Sequence, residues 1–217
     1  MKAFKKENLS LAASALIVVL TAIGAHVMLT NTREGLLIVH GVRNFRYFTV
    51  DSNILLGLVH LALLITACVR RGRTPLVLEC LVYVATVATS LTFAIVVGFF
   101  GPSIGYGELF RDANLYFHGI VPVLGIVVLC VFHRRRIPMR ETLIAVIPSA
   151  VYGLYYTLVL LTRGVRFPDT DWYGFAQNGL GGSVVSAAGV FLVTWVLALL
   201  LRLAAGSAGK RKAGKRK

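Results

Sequence analysis

Long apolar runs alternate with short polar and basic clusters along the whole chain. Six runs reach the roughly 20 residues needed to cross a bilayer, at 8–29, 47–69, 75–100, 115–133, 142–162 and 182–205. The connections between them are short. Arg70 to Thr74 leads into Pro75, a residue suited to a first helical turn. Gly101 to Asn114 forms a second connection, and a third carries Asp169, Asp171 and Trp172. The pattern predicts an all-α, polytopic membrane protein. A six-transmembrane-helix bundle fills 1–205, and a basic tail follows over 206–217. No loop is long enough to fold alone, and no internal repeat points to an inverted-repeat transporter.

Composition sharpens this picture. The chain is 57% hydrophobic and 15% charged, against about 25% charged in soluble domains. The first run starts with Lys2, Lys5 and Lys6, as a secretory signal would. Its apolar stretch exceeds the roughly 7–15 residues of a signal core, and five more runs follow, so it is expected to remain as an anchor. Cys68, Cys80 and Cys130 have no CxxC spacing and read as small packing residues.

Charge sets an orientation. With the N-terminus inside, the outer loops hold Arg33, Arg43, Arg46, Arg111, Arg163 and Arg166, and the rest of the 23 Lys and Arg residues fall inside. This asymmetry predicts both termini in the cytoplasm, and the absence of a long targeting extension suggests a bacterial cell membrane. The net charge of +14 does not imply nucleic acid, because no aromatic residues interleave with the basic ones as on a base-stacking surface. The tail KRKAGKRK is expected to lie against an anionic leaflet.

Polar side chains inside spans are costly in lipid and usually face the bundle interior. Thr49, Asn53, Gly57 and His60 fall on one stripe of the second span at helical spacing, with Asp51 on the opposite side. Glu79, Tyr83, Thr86 and Ser90 form a stripe on the third, with Glu79 expected to pair with Arg70, Arg71 or Arg73. His118, Pro122 and Gly125 share a face of the fourth. Thr49 and His118 begin spans that run in the same direction, so they lie at similar depth. The fifth span carries Tyr152, Tyr155 and Tyr156. Serine and threonine in such helices commonly bond their own backbone, and the tyrosines also suit an interfacial belt.

Two strings resemble the androgen-induced protein/androgen-dependent TFPI-regulating protein family and its bacterial relatives. They are Tyr47-Phe48-Thr49 with Asn53 four residues on, and His118 followed by Pro122. The Asp-Trp-Tyr-Gly-Phe stretch at 171–175 and the Tyr-rich fifth span are similar to that family too. The resemblance implies a membrane-embedded threonine hydrolase of lipid esters, such as fatty acid esters of hydroxy fatty acids. It implies Thr49 as nucleophile and His118 as general base, with no cofactor and no metal.

A threonine hydroxyl needs a base within hydrogen-bond reach, and neutral imidazole suits that role. The oxyanion needs donors. Asn53, one turn below Thr49, is the first candidate; Ser90, Tyr152 or Tyr156 could assist. A substrate carboxylate could meet Arg46 or Arg43. Two other classes stay open. One is a non-catalytic lipid-binding, transport or scaffold protein. The other is a haem-binding redox protein using His26 and His118 at one depth, although His60 and His133 supply no second matched pair.

Overall fold

The structure, a computed structural model, describes residues 2–32, 39, 41–69, 74–133 and 135–213. The chain forms α1 (Lys2–Thr30), a 3-10 turn (Gly41–Arg46), α2 (Phe48–Val69) and α3 (Leu76–Ile95). A π-helical turn (Val96–Phe100) joins α3 to α4 (Gly101–Ile104), and α5 (Tyr106–Leu109) follows. A second π-helical turn (Leu115–Ile120) opens into α6 (Val121–Phe132). The chain closes with α7 (Met139–Ile144), α8 (Ile147–Arg163) and α9 (Gly179–Ala213). No strand is present among the described residues.

Among the described residues, six helical stretches are long and apolar enough to cross a membrane: Glu7–Thr30, Phe48–Val69, Leu76–Ser103, Leu115–Phe132, Met139–Arg163 and Gly181–Ala205. The fold is that of a multi-pass helical membrane protein. The third stretch runs past its expected end at 100, the fifth begins before its expected start at 142, and α9 continues to Ala213.

Three prolines account for the irregular turns. Pro102, Pro122 and Pro148 are each the second residue of a helix that resumes after a break, in α4, α6 and α8. A proline has no N–H to give the carbonyl four residues back, and its ring crowds that carbonyl. The backbone just upstream therefore leaves the α-helical pattern. It forms π turns before Pro102 and Pro122 and a break at 145–146 before Pro148.

The core gathers around α3, which packs against α2, α6 and α9. Its most apolar window is 67% buried, against 17% for those of α8 and α9, so α3 is a central post and the last two spans lie outside it. The Tyr83 hydroxyl ties α3 to α9 by donating to the Ala198 carbonyl at 2.6 Å. Gly57 brings α2 against Thr21 of α1, leaving no room for a Cβ. At one end, here called the basic end, Arg135 bonds Glu79 at 2.9 Å and grips Glu141 with two further bonds at 2.8 and 2.7 Å. Arg70, Arg71 and Arg73, the partners expected for Glu79, lie outside the described residues. The start of α2 lies at the opposite, Thr49 end.

Candidate functional site

The start of α2 is held by its surroundings. Asn44 fastens the preceding turn: its amide accepts the Val39 N–H at 3.0 Å and donates to the carbonyls of Val39 and Gly41. The first N–H groups of a helix lack helical partners. Here the Phe48 N–H donates to the Tyr173 hydroxyl at 3.0 Å, and the Val50 N–H folds back to the Tyr47 carbonyl. The Thr49 N–H between them has no backbone partner among the described residues. Thr49 is half-buried.

His118 sits in the π turn that precedes Pro122 and is buried. Its Nδ1 lies 2.9 Å from the Leu109 carbonyl. A carbonyl only accepts, so Nδ1 carries the proton and a neutral ring keeps its lone pair on Nε2. That is the tautomer of a general base. Asn53 is fully buried, and its amide donates to the Thr49 carbonyl at 2.7 Å and the Phe117 carbonyl at 2.9 Å. Both of its N–H bonds are thus engaged. Asn53 acts as a strut between the Thr49 and His118 helices, not as the oxyanion donor expected from its position.

Two cavities meet at this end. A small one, about 20 Å³, is lined by Thr49 and His118 together with Asn44, Tyr47, Asn114 and Tyr173. It is the size of a single water molecule. A large one, about 390 Å³, lies between α2, α3, α8 and α9 and is walled mainly by apolar residues such as Phe48, Leu91, Ile95, Val190 and Phe191. Its volume falls in the roughly 300–1,000 Å³ range of small-molecule sites. Thr49 and Tyr173 line both cavities.

Tyr173 belongs to the loop between α8 and α9, which folds as a cap. The buried Thr170 hydroxyl donates to the Gly164 carbonyl and accepts the Arg166 N–H at 2.9 Å. Asp171 is fully buried; it accepts from the Tyr156 hydroxyl and from the Ala176 N–H at 3.1 Å. Burial pushes the Tyr173 phenol above its ordinary 10, so it stays protonated at neutral pH. Reading the spans for stripes did not single out Tyr173. The available signal was the polar-aromatic Asp-Trp-Tyr stretch in an otherwise apolar chain.

The other expected residues divide. Tyr152 and Tyr156 line the large cavity. The Tyr152 hydroxyl donates to the Arg46 carbonyl and accepts the Trp172 indole N–H at 2.9 Å. Ser90 is buried but lines neither cavity; its hydroxyl donates to the Thr86 carbonyl of its own helix at 2.6 Å. Arg46 also lines neither. Its guanidinium lies over the rings of Tyr47 and Trp172 and donates to the Tyr47 hydroxyl at 2.8 Å and the Asp169 carbonyl. Asp51 lies outside both cavities. His26 is exposed on α1 and does not share the His118 pocket. Among the described residues, no group of three or more His, Cys, Asp or Glu is placed to hold a metal ion.

No family model, no curated protein and no solved structure matches this chain.

Proposed function

We propose that the protein is an intramembrane hydrolase of lipid esters with Thr49 as nucleophile and His118 as base. The observation that carries this reading is the position of Thr49. It lies between a water-sized pocket containing a buried, correctly tautomerised histidine and an apolar cavity able to take hydrocarbon. The resemblance of the Tyr47-Phe48-Thr49 and His118–Pro122 strings to the threonine hydrolase family points the same way.

In this reading an acyl chain lies in the large cavity with its ester carbonyl at Thr49. His118 Nε2 takes the hydroxyl proton, directly or through one water, as Oγ bonds the carbonyl carbon. This reading assigns the Tyr173 hydroxyl and the Thr49 N–H as donors for the oxyanion. Collapse breaks the ester C–O bond, and the imidazolium returns the proton to the leaving alkoxide. A water in the small pocket then gives a proton to His118 as its oxygen bonds the acyl carbon; the bond from that carbon to Thr49 Oγ breaks, the imidazolium returns the proton to Oγ, and the acid leaves. The site requires no cofactor. Fatty acid esters of hydroxy fatty acids are the substrates suggested by the resemblance. We place both termini in the cytoplasm, from the distribution of Lys and Arg.

The apolar character of the large cavity by itself favours a second reading, a lipid carrier without chemistry. A fluorophosphonate probe on the purified protein separates the two. Labelling is expected in the parent and lost in well-folded Thr49→Ala and His118→Ala variants. Equal labelling in all three, or none in a folded parent, leaves lipid binding without hydrolysis.

A further inference from the structure

A third cavity, about 110 Å³, occupies the basic end, remote from Thr49. Ser10 and Ser14 of α1, His60 and Leu63 of α2, Glu79 of α3 and His133 beyond α6 line it. Glu79 and His133 mark its outer reach, near the ends of their helices. His60 marks its depth, nine residues from the Val69 end of α2 and well within the span.

His60 is 1% exposed, and one ring nitrogen, Nδ1, lies 3.1 Å from the Ser14 hydroxyl. The other, Nε2, is buried without a partner among the described residues, and so is Nε2 of His133. A buried polar atom left unpaired costs about 1–3 kcal/mol, a penalty rarely tolerated unless solvent supplies the bond. The cavity meets the conditions for solvent: it offers imidazole, hydroxyl and carboxylate partners, and at about 30 Å³ per water it has room for several molecules. The cavity shares no lining residue with the pocket of Thr49 and His118. Leu56, which lies between Thr49 and His60 on α2, is completely buried, and the two residues stand about 16 Å apart along the helix at 1.5 Å per residue.

We propose that this cavity is a water-filled vestibule that carries solvent and protons from the basic end of the bundle to the imidazole of His60. The transfer is a simple one: a proton arriving along the water column bonds to the unprotonated ring nitrogen, giving imidazolium. The groups facing it are the Ser14 hydroxyl from α1, the Glu79 carboxylate from α3 and the His133 imidazole from the end of α6, with Arg135 bound to Glu79 behind them. His60 is then a proton-binding site deep in a span, addressed from one face alone. This holds whether or not Thr49 performs chemistry.

Thiol accessibility tests it. Leu63→Cys and Leu61→Cys are made with the three native cysteines replaced, and each is treated in detergent with a charged methanethiosulfonate. Leu61 faces outward on the same helix, next to His60. Because the thiolate reacts and forms only in water, Leu63→Cys is expected to react about tenfold faster; equal rates overturn the proposal. If the cysteine-free background does not fold, deuterium exchange at the C2–H of His60 is measured on the unmodified protein. Exchange that rises sigmoidally across about pH 5–9 is expected for an imidazole titrated by solvent; no exchange over that range overturns it.

Discussion

The Asn53 amide donates to the Phe117 carbonyl at 2.9 Å, so the residue one turn below Thr49 is tied to the residue beside His118. The same amide holds the Thr49 carbonyl. Asn53→Ala removes both bonds and is expected to cost about 1–3 kcal/mol. A strut differs from a group that binds substrate in its kinetic signature. Turnover should fall with kcat while KM stays near its parent value, measured on whichever ester proves competent. A rise in KM with unchanged kcat would reassign Asn53 to the substrate.

Asp171 is the anchor of the loop that presents Tyr173. Asp171→Ala leaves the Tyr156 hydroxyl and the Ala176 N–H without their carboxylate, a loss of about 2 kcal/mol concentrated in the loop. Limited proteolysis should cut between residues 164 and 178 faster than in the parent, and under the proposed hydrolase mechanism probe labelling at Thr49 should weaken. Asp171→Asn, which keeps one acceptor oxygen, should lie between the two.

Two glycines make a contrast within one helix bundle. A Cβ on Gly57 would stand 2.7 Å from Thr21 Cγ2 and 2.9 Å from Thr21 Cβ, so α1 and α2 would have to separate. A Cβ on Gly125 meets only the Cδ2 end of Leu56 closer than 3.8 Å, and that side chain can rotate. Gly57→Ala should destabilise by about 1–3 kcal/mol, and Gly125→Ala by less than about 1. Thermal unfolding in a single detergent compares them directly.

Burial pushes the His133 imidazole below its ordinary 6.5. Once pH drops under 6.5 the unfolded chain binds more protons at this residue than the folded one, so acid lowers stability. The loss starts near 6.5 and levels off below the depressed folded value. His133→Phe should flatten the fall in Tm between about pH 7 and pH 5; an unchanged slope would mean that His133 is solvated equally in both states.

Much of the scaffold could be read from hydropathy, because a span needs only length and apolarity. The inward stripe Asn53, Gly57 and His60 was legible too, since helical spacing puts those residues on one buried face. The site was harder. Pro122 is visible in the sequence, but the π turn it induces changes the angle of His118, which a regular helical wheel does not capture. Ser90 sits on an inward face, yet it satisfies its own helix. Arg46 carries the right charge for a carboxylate, but Tyr47, Trp172 and the Asp169 carbonyl already occupy it. Tyr173 bonds the Phe48 N–H at the start of α2 from a loop with no periodicity, across more than a hundred residues of chain. Such a contact comes from tertiary folding and leaves no local mark.

The slight burial of α8 and α9 has a consequence for the large cavity they help to enclose. Protein packing holds its α2 and α3 side, while surrounding hydrocarbon presses on the other two helices from outside. Its width is then governed by lateral pressure, a property of the bilayer. Changing the host lipid should alter the cavity's width, without any change in the protein.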